Sequence, residues 1–135
     1  MIVFEKKRIS ICKQIDASPA VVWDVLTDTR LWPTWGPSIL AVECSDRFIG
    51  RSSRGRIKTL LLFWLPFSII EFRPMDYWNW RVGPLTATGH KLNQAGDNSC
   101  NLCFEMSRWA VFYLPVCWLA LLNINKISAL KSTPA

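Results

Sequence analysis

Residues Ile15–Pro37, IDASPAVVWDVLTDTRLWPTWGP, decide the fold. The stretch reads as the end of a strand, a capped helix, an abrupt stop and a second, very short helix. Ser18 is placed to cap, because its hydroxyl can accept an orphan backbone N–H of the first turn. Pro19 follows at the first helical position, where a missing N–H costs nothing. Val22, Trp23, Val25 and Leu26 recur at helical spacing, and Asp24 and Asp28 lie off that stripe. Arg30 and Leu31 lead into Trp32-Pro33-Thr34-Trp35-Gly36-Pro37, whose prolines and glycine leave room for about one or two turns. Two tryptophans in so short an element need an apolar surface to cover.

Outward from this stretch the chain is strand-rich. Upstream, residues 2–15 read as a first strand carrying Ile9, Ile11 and Ile15. Downstream, Ile39–Glu43 is a second strand and Arg51–Leu62 a third. Pro66 is expected to break the next apolar run, leaving Phe67–Phe72 as a fourth. Tyr77–Val82, Thr86–Leu92 and Ser99–Met106 follow, separated by turns at Pro74–Asp76, Gly83-Pro84 and Gln94–Asn98. Arg108 to about Lys131 reads as one long helix, with a polar tail ending Ser132-Thr133-Pro134-Ala135. Pro115 inside it predicts a kink, or a helix that truly starts near Leu114 after an irregular lead-in. Strands joined in series by tight turns are antiparallel neighbours, and a helix after such a meander packs on its concave face.

Composition sets bounds on class. A chain of 135 residues is expected to form one domain, 1–135, with a real core. Half of it is hydrophobic and eight residues are tryptophan, so aromatics either fill the core or line a cavity. The formal charge of +6 favours anionic surfaces in general. No signal peptide is expected at the N-terminus, and the apolar runs Leu60–Ile70 and Trp109–Leu122 fall short of the about 20 residues that span a bilayer. The expected compartment is the cytoplasm. The five cysteines, Cys12, Cys44, Cys100, Cys103 and Cys117, read as reduced core residues.

Strand alternation assigns faces. Trp78 and Trp80 point inward if Asn79 and Arg81 meet solvent. Thr88, His90 and Leu92 point inward if Lys91 points out, and Leu102, Phe104 and Met106 do so opposite Asn101 and Glu105. His90, the single histidine, is either a general acid/base or a buried residue bonded to a neighbour. Glu71 is an acid with a raised pKa if it faces a cavity, or a strand carboxylate paired with Arg73 or Arg81 if it does not. Cys100-Asn101-Leu102-Cys103 has CxxC spacing, but on a strand its thiols point to opposite faces. No cluster at metal-ligand spacing is present, and neither metal nor cofactor is expected. Arg47, Arg51, Arg54, Arg56 and Lys58 form a basic cluster. It reads as a solvated strand face or as a contact for anionic partners, and nucleic acid is not expected among them, since no aromatics interleave with the basic residues.

The sequence resembles the START-like, or helix-grip, superfamily, close to its polyketide cyclase/dehydrase and lipid-transport members. The resemblance is carried by Ile15–Asp28 and Trp32–Trp35, with Ile70–Pro74, Trp78–Arg81 and Gly89-His90 behind them. It implies an α+β fold: a curved antiparallel sheet of six to seven strands gripping the C-terminal helix, with two short helices after the first strand and an apolar cavity between sheet and helix. It implies binding of a hydrophobic or aromatic small molecule, such as a lipid or polyketide-like compound. The expected lining is Trp78, Trp80, Thr88, His90, Leu102, Phe104, Tyr113 and Cys117, with Trp32, Trp35 and Trp64 at the mouth. One alternative is a cyclase/dehydratase-type enzyme moving a proton with His90 or Glu71. Another is a non-catalytic domain touching a partner or an anionic membrane surface through the basic cluster and Trp64. Fold alone does not choose among these.

Overall fold

Eight strands run through the computed structural model, which describes residues 2–5 and 7–132. They are β1 (Ile2–Phe4), β2 (Arg8–Ile15), β3 (Ile39–Cys44), β4 (Arg54–Thr59), β5 (Trp64–Arg73), β6 (Tyr77–Val82), β7 (Leu85–Gln94) and β8 (Cys100–Ser107). All pair antiparallel in the order β1-β2-β8-β7-β6-β5-β4-β3. Between β2 and β3 come α1 (Pro19–Thr27), a 3-10 turn (Thr29–Leu31) and α2 (Trp32–Trp35); α3 (Leu114–Ser132) closes the fold. This is the expected helix-grip architecture with one strand more than the upper count. The first strand is in fact a pair, β1 folding back on β2 with Ile2 opposite Ile11. Of the expected polar tail, residues 133–135 lie outside the described residues.

The Ile15–Pro37 stretch folds as its chemistry dictates. Ser18 caps α1, its side chain accepting the Val21 N–H at 3.4 Å. The far end of α1 shows why two tryptophans follow. A helix leaves its last four carbonyls without intrahelical partners. Here the Asp24 carbonyl accepts from the Asp28 N–H at 3.0 Å and the Thr27 carbonyl from the Ile49 N–H at 3.0 Å. The Val25 carbonyl accepts from Trp35 Nε1 at 3.2 Å, and the Leu26 carbonyl from Trp32 Nε1 at 2.9 Å. The indoles of α2 thus complete the C-terminus of α1 while their rings enter the core.

The proline and cysteine expectations are corrected. Pro66 does not break its strand, because β5 runs through it from Trp64. Its carbonyl accepts from the Gly83 N–H at 2.8 Å, past the end of β6, so the missing N–H faces the same side, where the ladder has already ended. The cysteines are not all reduced: Cys12 and Cys103 sit opposite each other on β2 and β8 and form a disulfide. Their alternation puts them on the outer sheet face, away from the core stripe of Ile9, Ile11 and Ile15. The bridge removes the cysteines as an argument for a reducing compartment.

Pro115 acts as anticipated. Residues Arg108–Tyr113 form an irregular 3-10 segment, non-helical at Ala110, and α3 begins at Leu114 with Pro115 in its first turn. Together, Arg108–Ser132 are 25 residues, long and apolar enough to cross a membrane by length and composition. This revises the expectation that the C-terminal run falls short. Helix α3 packs on β2, α1 and α2, burying Cys117, Ala120, Leu121, Ile124 and Ser128.

Candidate ligand-binding site

The concave face of the sheet is divided. At one end an aromatic stack fills it. Trp32 lies parallel to Trp78 at 5.6 Å between ring centroids, and Trp78 lies parallel to His90 at 3.9 Å. Trp80 and Phe67 meet Trp32 edge-on at 5.2 and 5.3 Å. At the other end, beyond Trp80 and His90, the face is open beneath the Arg108–Tyr113 segment and the start of α3. It leaves a pocket of about 440 Å³, within the range of small-molecule sites.

Of the expected lining, Trp80, Thr88, His90, Phe104, Tyr113 and Cys117 border this pocket, and Trp35 borders it too. Trp78 and Leu102 do not. Both are fully buried in the core, on the right face but under the filled end. Trp32, expected at the mouth, is likewise a core residue. Trp64 is not at the mouth either, since it lies on β5 with the Arg56 guanidinium over its ring at 4.4 Å. Glu71 is exposed and pairs with Arg73 at 3.4 Å, so it is no cavity acid. Sequence reasoning missed the rim: Leu60 and Leu61 from the β4–β5 turn, Leu85 at the start of β7, and Trp109 and Phe112. The signal was present in Leu60-Leu61-Leu62-Phe63, four apolar residues at a turn where alternation cannot bury them all.

The polar groups of the floor form one chain whose proton positions follow from the chemistry. His90 Nδ1 is 3.2 Å from the Trp78 carbonyl, which can accept but not donate, so Nδ1 carries the proton. Nε2 is then an acceptor, and Thr88 Oγ1 donates to it at 3.2 Å. Thr88 Oγ1 in turn accepts from Trp80 Nε1 at 3.2 Å. Burial without a charged partner pushes the imidazole pKa down to about 3. His90 is therefore neutral at pH 7, has both nitrogens engaged, and is a poor proton acceptor. Nearer the opening, the hydroxyls of Ser38 and Tyr113 bond to each other. Whichever donates, the proton of the other stays free for a guest. Burial holds the Tyr113 hydroxyl above its usual pKa and pushes the Cys117 thiol up to about 12, so both are neutral. The floor offers shape, apolar area and uncharged hydrogen-bonding groups. Among the described residues no group of three or more His, Cys, Asp or Glu is placed to hold a metal ion.

The basic cluster is largely engaged. Arg47 pairs with buried Asp28 at 3.2 Å, Arg56 with Glu43 at 2.6 Å, and Arg51 donates to the Phe72 carbonyl at 3.5 Å.

Comparison with known proteins places the chain in context. The family described as "Polyketide cyclase / dehydrase and lipid transport" matches residues 6–112. No curated protein matches. Solved structures of the same fold are numerous. A conserved protein of unknown function from Enterococcus faecalis is 18% identical with a TM-score of 0.67, covering 94% of this chain and 75% of its own. A START superfamily protein from Mycobacterium smegmatis is 12% identical with a TM-score of 0.68, covering 89% and 97%. Norcoclaurine synthase from Thalictrum flavum, in complex with dopamine and hydroxybenzaldehyde, is 12% identical with a TM-score of 0.67, covering 99% and 91%. At these identities the likeness is one of fold.

Proposed function

We propose a function from one premise: this chain belongs to the polyketide cyclase / dehydrase and lipid transport family. Its pocket takes up an uncharged apolar or aromatic small molecule, lipid-like or polyketide-like, between the sheet and the C-terminal helix. One observation carries this reading. The open half of the concave face is apolar, and its polar groups are neutral. A charged guest would lose hydration there and meet no opposite charge. An apolar guest gains about 25 cal/mol for each Å² it buries. The free proton of the Ser38–Tyr113 pair gives it one orienting hydrogen bond.

The test is native mass spectrometry of protein purified from its own host, followed by organic extraction. The expected result is a reproducible hydrophobic molecule near equal stoichiometry, lost on extraction. A chain that leaves its host empty and also refuses apolar fluorescent probes contradicts the reading.

A further inference from the structure

We propose that the rim of the pocket docks on a lipid bilayer bearing anionic headgroups, so that the guest passes between membrane and pocket without crossing water. This rests on the reading of the pocket as a ligand site.

The rim is built from three segments distant in sequence. Residues 59–70, 82–90 and 109–125 contain no Asp, Glu, Lys or Arg. Each contributes apolar side chains to the same mouth: Leu60 and Leu61, Leu85, and Trp109 with Phe112. These side chains are in water, Leu61 being 75% and Phe112 73% exposed. Patches of this kind on soluble proteins mark interaction sites. Each segment is also immediately preceded by a basic residue, Lys58, Arg81 and Arg108 respectively. None of the three has a carboxylate partner among the described residues. Each apolar segment thus has an unpaired basic residue one position before it, and Lys58 and Arg81 alternate with the pocket-lining Ile57, Thr59, Trp80 and Val82 and so stand on the outer sheet face behind the rim.

The β4–β5 turn adds an independent sign. Leu62 donates its N–H to the Thr59 carbonyl at 2.9 Å and has a φ of 70°, in the left-handed region. Glycine or asparagine belongs at such a position of a hairpin loop. A leucine there costs folding stability and gains no burial, being 68% exposed. Rules of local structure are broken in this way where function demands it.

The charge pattern selects a bilayer over a second copy of the chain. Two copies joined rim to rim would bring the unpaired Lys58, Arg81 and Arg108 of one toward those of the other, whereas anionic lipid offers phosphates to them and acyl chains to the apolar rim. Trp109, in the 3-10 segment that forms part of the rim, is 59% exposed. Tryptophan favours the headgroup boundary.

The test is co-sedimentation of the full chain with vesicles of phosphatidylcholine, with and without phosphatidylglycerol. The expected result is binding that needs phosphatidylglycerol and weakens with salt. Leu61→Asp with Phe112→Asp, and separately Lys58→Glu with Arg108→Glu, should each weaken it by about tenfold or more. Leu62→Gly should raise the melting temperature yet weaken vesicle binding, an outcome no folding defect imitates. A wild-type chain that ignores both vesicles overturns the proposal, as does one that the acidic pair leaves unchanged. A wild-type dimer that the acidic pair dissolves, without vesicle binding, overturns it in favour of a contact between copies. Uptake of N-phenyl-1-naphthylamine separates the two readings. Uptake without docking defeats the docking proposal alone, and docking without uptake defeats the pocket reading and with it the passage of a guest, leaving only the membrane contact.

Discussion

The tautomer of one imidazole sets much of the pocket's chemistry. The Trp78 carbonyl forces the proton of His90 onto Nδ1, and Thr88 then fills Nε2. The folded ring protonates at about 3, against about 6.5 in the unfolded chain. Between those values the unfolded state binds the extra proton, so stability is full above pH 6.5 and falls as the pH drops below it. The limiting slope is about 1.4 kcal/mol per pH unit. Urea denaturation at pH 7.5 and pH 5 should show this loss, and His90→Gln should flatten it. Carboxylates such as Asp76, whose pKa the Lys91 ammonium lowers, titrate further down and leave that window to the histidine. The inward face of His90 was legible from the outward Lys91. Its neutral, saturated state was not, because it depends on a carbonyl twelve residues away across β6 and β7.

Among the elements, α1 and α2 act as one piece. Trp32 both stacks on Trp78 and donates to the Leu26 carbonyl. Trp32→Phe keeps a large ring but orphans a buried acceptor, and should cost about 2 kcal/mol in equilibrium unfolding. An unchanged midpoint would mean that the carbonyl finds another donor. The local pattern, with Ser18 and Pro19 at one end and Trp32-Pro33-Thr34-Trp35 beyond the other, made these helices readable. Long-range pairing was beyond such a pattern. Cys12 and Cys103 are 91 residues apart, and only the β2–β8 register brings them together. Pro66 misled for a similar reason. A proline breaks a strand only where its missing N–H is needed, and that depends on where the neighbouring strand ends.

At the scale of the whole molecule, the concave face is half core and half pocket. Alternation told which side chains point inward, and Trp78, Trp80, His90, Leu102 and Phe104 all do. It could not tell which of them lie under the Trp32 stack and which face the opening, since that is set by where α2 and α3 cross the sheet. The central claim is that the open half accepts an apolar guest. Val116 lines the pocket from the first turns of α3. The most direct measurement is a titration of N-phenyl-1-naphthylamine fluorescence against the wild-type chain and Val116→Trp, each checked for an unchanged melting temperature. Saturable uptake near one probe per wild-type chain, lost in Val116→Trp, is the predicted result. Equal uptake by both proteins, or none by either, would contradict the account.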